Sequence, residues 1–250
     1  MSDHTRVAYF SMEIGVDPLV PTYSGGLGML AGDLIRSAAD IALPLVGVSL
    51  LHRKGYFEQS IDPSGMQHEG PVAWNPADKL ELMKPRVAMK LNGRKVAIQA
   101  WKYTVKPTHP GGRDVPVYFL DTDIPDNDPH DRHLTDQLYG GDHRHRLEQE
   151  AVLGIGGIYM LRALGHRELK TYHMNEGHGA FVTIELLAEH SFKRKTSPAD
   201  PEVIQAVRGA CVFTTHTPVP AGHDQFALQQ VFEALGEQSA IYDGAPYCPG

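Results

Sequence analysis

The start of the chain is typical of a βαβ unit. Residues 6–14 (RVAYFSMEI) form a short apolar run with strand character, and a loop rich in glycine and proline follows. Residues 45–51 (LVGVSLL) are almost continuously apolar, as in a parallel strand that is covered on both faces. The helix between them must end before Pro44. Its apolar positions have the three-or-four-residue spacing of one helix face: Leu27, Leu30, Leu34, Ala38 and Ile41. This unit predicts a fold built on a parallel sheet.

The rest of the chain predicts more of this sheet, interrupted by one different segment. Residues 52–116 combine scattered Gly, Pro and Asn with alternating stretches, which predicts a β-rich insertion with a hairpin turn at residues 91–94 (LNGR). Beyond it, strands are predicted at residues 115–120, 171–174 and 210–214, and helices at residues 147–164, 180–190 and 201–209. The predicted fold class is α/β, a doubly wound sheet with a β-rich insertion.

Composition argues against several classes of function. The 250 residues carry 23 basic and 30 acidic side chains, a formal net charge of −7, so no nucleic-acid partner is expected. No apolar run approaches the ~18 residues of a membrane helix, and residues 1–10 show no signal peptide. Two cysteines, Cys211 and Cys248, are too few for a disulfide framework. We expect a cytoplasmic protein with no membrane partner.

Polar loops follow the predicted strands at the sheet edge where parallel sheets bind ligands. Residues 23–28 (YSGGLG) open a helix, where glycines let a ligand approach the backbone and free N–H groups favour an oxygen-rich group. A tight turn explains the same glycines, and neither a dinucleotide fingerprint nor a P-loop is present. Residues 138–142 (LYGGD) place Asp142 either beside a ligand hydroxyl or at a helix N-cap.

Histidines recur in these loops. Residues 172–178 (YHMNEGH) and 213–224 (FTTHTPVPAGHD) each follow a predicted strand, and His216 is predicted to lie where a substrate would bind. Three polar loops with histidine favour a functional site over a set of structural histidines. His143 and His145 form an H-x-H pair, but a metal would need further ligands, so no metal site is predicted.

Hydrolase chemistry has one candidate in the sequence. Asp121 and Asp123, at a predicted strand end, are candidates for a glycosidase carboxylate pair, and both fit turn positions equally well. No G-x-S-x-G motif occurs, and Cys211 lies in an apolar strand, so no serine or cysteine nucleophile is predicted. Spacing alone thus predicts an α/β domain whose loops suit a polar, hydroxylated or phosphorylated ligand.

At these loops the sequence resembles the α-glucan phosphorylases (glycogen, starch and maltodextrin), particularly the short bacterial members. The resemblance covers roughly residues 6–230 and rests on a series of motifs in order. They are YFSMEIG (9–15), YSGGLGMLAGD (23–33), VGVSLLHRKGYFEQ (46–59), VYFLDTDIPDND (117–128), LTDQLYGGD (134–142), RLEQEAVLGIGG (146–157), YHMNEGHGAF (172–181) and VFTTHTPVPAGHDQF (212–226).

The resemblance implies a retaining glucosyl transfer. Inorganic phosphate would cleave the terminal α-1,4 bond of a glucan or maltooligosaccharide and release glucose 1-phosphate, reversibly. It also implies pyridoxal 5′-phosphate, whose phosphate relays a proton to the substrate phosphate. The implied fold is of the GT-B type, with the site in a cleft between two Rossmann-like domains. A homo-oligomer of the full-length enzyme is compatible with the resemblance.

The resemblance also assigns roles to residues that match its motifs. His216 is implied as the catalytic residue, because its main-chain carbonyl would face the glucosyl unit and stabilise a developing oxocarbenium ion. Glu176 stands where better-known glycogen phosphorylases have Asp, although the short bacterial branch also carries Glu. The implied substrate-binding residues are Gly25, Gly26 and Leu27 in the glycine loop, Asp142 in a gate loop, and Asn175, Glu176 and His178 in the sugar pocket.

The resemblance finally implies that residues 1–250 are the N-terminal, glucan-side domain. The family's Schiff-base lysine, its phosphate-binding Arg and Lys and a further glycine loop belong to a C-terminal domain absent from this sequence. The chain alone is therefore expected to be inactive. Two alternatives stay open: a non-catalytic glucan-binding fragment, and a nucleotide-sugar glucan synthase. The synthase shares a G-G-L-G loop but usually has a lysine shortly before it, where this chain has Thr22, Tyr23 and Ser24.

Overall fold

The protein is a mixed α/β structure around one large sheet, in a computed structural model that describes residues 5–216 and 224–236. Its strands are β1 (Val7–Ser11), β2 (Leu45–Leu50), β3 (Glu58–Ile61), β4 (Gln67–Gly70), β5 (Glu81–Leu82), β6 (Val87–Leu91), β7 (Arg94–Val105), β8 (Val115–Asp121), β9 (Thr171–Asn175) and β10 (Cys211–Thr214). Its α-helices are α1 (Gly26–Asp40), α2 (Pro129–Arg132), α3 (His143–Ala151), α4 (Gly157–Ala163), α5 (Val182–Arg194), α6 (Pro201–Ala210) and α7 (Leu228–Leu235). The α/β class predicted from the sequence is confirmed.

The order of the strands determines where a ligand crevice can open. Five neighbouring strands are parallel, in the order β10-β9-β1-β2-β8, and β7 continues the sheet antiparallel to β8. The chain starts with β1 in the middle, adds β2 and β8 on one side, and then adds β9 and β10 on the other. Such a reversal of strand order leaves a crevice at the carboxyl ends of the two strands beside it. Here those strands are β1 and β9.

Side chains from both faces of the sheet are buried in separate hydrophobic clusters. Successive side chains of a strand point to opposite faces. In β1, Ala8 and Phe10 belong to one cluster and Tyr9 belongs to the other. The first cluster contains residues of α3, α4, α5 and α7, whereas Ile35 of α1 lies in the second. This two-sided burial is why β2 has a continuously apolar sequence.

The segment between β2 and β8 is dominated by antiparallel pairing. β3 and β4 form a separate two-stranded sheet, and β5 and β6 each pair antiparallel with β7. The predicted turn between β6 and β7 is confirmed, because Leu91 pairs with Arg94 across it. Asn92 and Gly93 have φ values of 50° and 75°, a left-handed conformation that Asn and Gly tolerate best.

The long helix predicted at residues 147–164 is interrupted and begins earlier. It starts at His143 and contains a π-helical segment, Val152–Gly156, between α3 and α4. A Cβ atom at Gly154 would lie 2.6 Å from the backbone nitrogen of Val182, and one at Gly157 would lie 2.8 Å from the ring of Phe10. Glycine at these two positions therefore permits close packing of this helix against α5 and β1.

Some predictions from the sequence fall outside the described residues. These are residues 217–223 of the predicted loop 213–224, and Cys248. Among the helices of the described ranges, none combines the length and the apolar character needed to cross a membrane.

Candidate functional site

Polar residues from four sequence-distant segments meet at the carboxyl ends of β1, β9 and β10. Glu13 follows β1, Asn175 ends β9, and His216 follows β10. Gly25 is the N-cap of α1, and its N–H lies 3.3 Å from the Glu13 carboxylate. Three of these residues, Gly25, Asn175 and His216, belong to loops that the sequence predicted as ligand-binding, whereas Glu13 does not.

The buried carboxylate of Glu13 joins the glycine loop to the loop before α3. Its Oε2 accepts the N–H groups of Ser24 at 2.7 Å and Gly25 at 3.3 Å, and its Oε1 accepts the Tyr139 hydroxyl at 2.5 Å. Burial raises the pKa of Tyr139, as does the Glu13 charge, so the hydroxyl stays a donor. A Cβ atom at Gly28 would lie 2.6 Å from Glu13 Oε2, so this contact requires glycine there.

The glycine loop presents its backbone to open space. A Cβ atom at Gly25 or Gly26 would meet no atom within 4 Å, and Leu27 is half-buried. Gly25 has an extended φ of −159° and no side chain to cap α1. A ligand can therefore approach the backbone at the start of α1, as the predicted role of Gly25 and Gly26 requires.

A directional chain of hydrogen bonds holds the His216 ring. Asn175 Nδ2 donates to Ser11 Oγ at 3.1 Å, and Ser11 Oγ donates to the Glu13 carbonyl at 2.7 Å. The Asn175 Oδ1 atom then accepts from His216 Nε2 at 2.9 Å. Because the amide oxygen can only accept, His216 carries a proton on Nε2. Asn175 is thus a positioning residue for His216.

Glu176 holds the backbone that carries His216. Its buried carboxylate accepts the His216 N–H and, at 3.2 Å, the Thr215 hydroxyl, and its own N–H donates to the Thr214 carbonyl at 2.8 Å. Glu176 has a φ of 65°, a conformation that costs a non-glycine residue about 1–3 kcal/mol. These contacts offset that cost and fix the peptide between Thr215 and His216 in one orientation.

Asp142 caps α3. Its Oδ1 accepts the N–H of His145 at 2.9 Å, and this hydrogen bond lowers the pKa of the exposed carboxyl group. Of the two roles considered from the sequence, the N-cap is confirmed. Contact between Asp142 and a ligand stays a prediction.

His178 belongs to a charged cluster next to Tyr139. Arg146 donates from Nε and Nη2 to Asp224 Oδ2, at 3.2 and 2.5 Å, and its guanidinium lies 4.8 Å from the centre of the Tyr139 ring. His178 Nε2 lies 3.3 Å from Arg146 Nη2 and 3.8 Å from Asp224 Oδ2. Burial raises the pKa of Glu150 to about 9, with Asp224 as a further cause. The Glu150 carboxyl is therefore neutral at pH 7.

The same cluster has the spacing of a metal site. Among the described residues, ligand atoms of Glu150, His178 and Asp224 lie within 4.8 Å of one another. Arg146 already supplies a positive charge to Asp224, so this carboxylate has a cationic partner from the protein itself. The H-x-H pair of His143 and His145 is not part of this group.

Known proteins match this chain along most of its length. The model of the carbohydrate phosphorylase family matches residues 22–139. The glycogen phosphorylase of Mycobacterium tuberculosis (strain CDC 1551 / Oshkosh) is 41% identical over 250 residues, which cover 94% of this chain and 28% of that protein. The chain is a relative of the carbohydrate phosphorylases.

Other phosphorylases show similar identity and similar coverage. The maltodextrin phosphorylase of Thermococcus litoralis is 40% identical over 92% of this chain and 27% of its own length. The glycogen phosphorylase of Aquifex aeolicus is 30% identical over 91% of this chain and 32% of its own length. The chain therefore spans about a third or less of these phosphorylases, and the resemblance found in its motifs is confirmed.

The two aspartates considered as a glycosidase pair do not form one. Asp121 is fully buried and accepts from Arg53 Nη2 at 2.6 Å and Trp101 Nε1 at 2.9 Å. Asp123 pairs with Arg132 at 2.6 Å, and its N–H donates to Asp121 Oδ1 at 2.9 Å. Asp121 is the last residue of β8, so the turn interpretation does not hold for it. Because protein donors already occupy its carboxylate, the glycosidase pair is wrong for this phosphorylase relative.

The sequence did not predict a role for four residues of this site: Glu13, Tyr139, Arg146 and Glu150. One signal for Glu13 is visible, a charged residue directly after an apolar strand. Arg146 and Glu150 are ionisable residues four positions apart, on a helix that continues into an apolar face. Tyr139 shows no comparable signal, because a single tyrosine in a glycine loop has many explanations.

Proposed function

We propose that this chain is the glucan-side wall of an α-glucan phosphorylase. Residues 1–250 would be a Rossmann-like, doubly wound domain of the GT-B type, and residues 52–116 would be a β-rich insertion in it. The whole enzyme would use inorganic phosphate to cleave terminal α-1,4 bonds of glycogen or a maltooligosaccharide, with retention, and release glucose 1-phosphate. The observation that carries this proposal is the double anchoring of His216 by Asn175 and Glu176 at the crevice between β1 and β9.

The anchoring explains how His216 would serve as the catalytic residue. Its N–H is bound to the Glu176 carboxylate and its ring to Asn175, so the Cα atom that carries the His216 carbonyl is held before a substrate arrives. A carbonyl dipole held in place stabilises positive charge at low reorganisation cost. We assign the His216 carbonyl to the developing oxocarbenium ion at the reacting carbon.

The other residues would bind the substrate around that carbon. Gly25, Gly26 and Leu27 would accept the phosphate and the transferred sugar at the open backbone of α1. His178, ordered by Arg146, would hydrogen-bond a sugar hydroxyl. Asp142 would contact the glucan from the loop that Tyr139 ties to Glu13.

Pyridoxal 5′-phosphate is the cofactor that the family implies. When bound, it would supply a phosphate group that exchanges a proton with the substrate phosphate. Its aldehyde needs a lysine amine, and the crevice residues that the structure describes (Glu13, Asn175, Glu176, His178 and His216) include no lysine. The cofactor does not fit these residues alone, so we assign no step to it here.

A chimeric enzyme tests the proposed function. The aligned segment of the T. litoralis maltodextrin phosphorylase is replaced by this chain, and glucose 1-phosphate release from maltoheptaose and phosphate is measured. We expect an active chimera, in which Glu176→Ala lowers kcat about 100-fold because the His216 peptide loses its anchor. Glu176→Gln keeps an acceptor oxygen and should lose less.

The matched control is Glu233→Ala, which removes an exposed carboxylate of α7. A chimera that folds and loads its cofactor, yet releases no glucose 1-phosphate, contradicts the proposal. Glucan binding without phosphorolysis would favour a non-catalytic glucan-binding role. Release of glucose 1-phosphate by the isolated chain would contradict the expectation that it supplies only one wall of the site.

A further inference from the structure

A cavity of about 220 Å³ lies beside the glycine loop, outside the catalytic crevice proposed above. Three aromatic side chains line it: Tyr23, Tyr56 and Phe57. The rings of Tyr56 and Phe57 have centroids 4.2 Å apart and planes inclined by 38°, and Tyr56 is 40% exposed. Exposed neighbouring aromatic rings of this kind mark binding surfaces more often than isolated ones do.

The cavity is built by close packing of separate chain segments. Gly55 has a φ of 59°, and a Cβ atom there would lie 3.1 Å from Val72 Cγ2 and 3.2 Å from the Pro21 carbonyl. The Gly55 backbone therefore passes close to the loop that contains Pro21 and Tyr23. The Gly55 carbonyl also accepts the N–H of Leu138 at 3.0 Å, which fixes the turn from its other side. The walls are therefore preformed.

The lining residues determine which ligand the cavity suits. None of them is charged, so an anion would find no cationic partner there. Aromatic faces alternate with a few hydrogen-bonding groups, namely the tyrosine hydroxyls, the Ser24 hydroxyl and the Gln59 amide. A sugar ring has apolar faces and a rim of hydroxyl groups, which matches such a lining. A neutral hydroxylated ring fits these walls better than a phosphate or a nucleotide.

We propose that this cavity is a second glucan subsite, which binds a glucosyl unit of an α-glucan outside the catalytic crevice. The choice of an α-glucan over other sugars rests on the proposed function. Tyr23 and Ser24 belong both to the cavity and to the glycine loop, and the Ser24 N–H is bound by Glu13. A glucan held in the cavity therefore contacts the loop that opens the crevice.

Calorimetric titration of the full chain with maltoheptaose tests this subsite. We expect Tyr56→Ala and Phe57→Ala each to weaken binding about tenfold, since aromatic side chains that a ligand covers contribute much of the binding energy. Tyr56→Phe keeps the ring and should bind nearly as wild type. Phe192→Ala is the matched control, because it removes an exposed ring that does not line the cavity. Inorganic phosphate at millimolar concentration should not compete.

The outcomes separate this subsite from the proposed function. If Tyr56→Ala and Phe57→Ala leave maltoheptaose binding unchanged, the proposed subsite is wrong. This holds even if Asn175→Ala abolishes binding, a result that would support glucan binding in the crevice. Absence of any maltoheptaose binding also overturns the subsite. A third outcome is that maltoheptaose binding depends on Tyr56 and Phe57 while the chimera makes no glucose 1-phosphate. This result would support the subsite and contradict the phosphorylase function.

Discussion

Single side chains in the crevice act mainly by holding backbone in place. Glu176 fixes the His216 peptide, Asn175 fixes the His216 ring, and Glu13 fixes the amides of the glycine loop. Each of these three residues is almost fully buried. Buried polar groups are stable only when their hydrogen bonds are made, so each one restricts the backbone around it.

His52 makes the stability of the protein dependent on pH. It is fully buried, its Nε2 donates to the Met12 carbonyl at 2.8 Å, and its Nδ1 has no hydrogen-bond partner among the described residues. Burial lowers the pKa of His52 to about 4. The unfolded chain takes up this proton near pH 6.5, so the stability that neutral His52 provides is complete above that pH. It falls by up to ~3 kcal/mol as the pH drops towards 4.

Urea unfolding at pH 7.5 and pH 5 measures this effect. His52→Gln keeps a donor for the Met12 carbonyl and cannot titrate, so its free energy of unfolding should change less between the two pH values than that of the wild type. His143→Gln, at an exposed histidine, should behave as the wild type. Equal pH dependence of the wild type and His52→Gln would contradict the assignment.

Helices and strands pack at distances that particular glycines permit. The predicted helices and strands were recovered because apolar spacing is a local property of the sequence. The early start of α3 was not predicted, since residues 143–146 (HRHR) carry no apolar residue. The packing of Gly154 on the start of α5 joins residues far apart in the chain, and the structure shows it.

Gly154→Ala tests this packing. The added Cβ would lie 2.6 Å from the Val182 nitrogen, so the π-helical segment and α5 must move apart. We expect the free energy of unfolding to fall by about 1–3 kcal/mol. The matched variant is Gly209→Ala in α6, where the Cβ would meet no atom within 4 Å. That change should stabilise by up to ~1 kcal/mol. Equal stability of the two variants in urea would show that Gly154 is not a packing contact.

The whole molecule is held together at the crevice by contacts between distant parts of the chain. Glu13 connects the end of β1 to the glycine loop and to Tyr139, which lies 126 positions further along the chain. Asn175 and Ser11 are separated by 164 positions. The geometry of the site therefore depends on the complete parallel sheet, and no single element contains it.

Hydrogen exchange of Glu13→Ala tests this coupling. The variant removes the acceptor of three donors, which should cost about 1–3 kcal/mol. Exchange should rise at the amides of Ser24 and Gly25 and in residues 138–142 together. Tyr139→Phe should raise it only in residues 138–142, because Glu13 Oε2 still binds the two amides.

The control for this experiment is Tyr103→Phe, which removes a hydrogen bond that the Tyr103 hydroxyl donates to the Asp17 carboxylate. It should leave both regions protected. Faster exchange at Ser24 and Gly25 alone in Glu13→Ala would mean that the two loops are not coupled through this carboxylate.

The sequence by itself determined the α/β class, the approximate elements and the loops that follow the strands. These depend on apolar periodicity and turn chemistry, which act over a few residues. Only the tertiary structure decided which polar groups meet. From their spacing in the sequence, Asp121 and Asp123 were candidates for a catalytic pair. In the fold, Arg53 and Trp101 donate hydrogen bonds to the Asp121 carboxylate. The role of Glu13 is visible only in the fold, where β1 lies beside β9 and these loops come together. Hydrogen-bond partners follow from strand order, which depends on contacts across the whole chain and cannot be read from local sequence patterns.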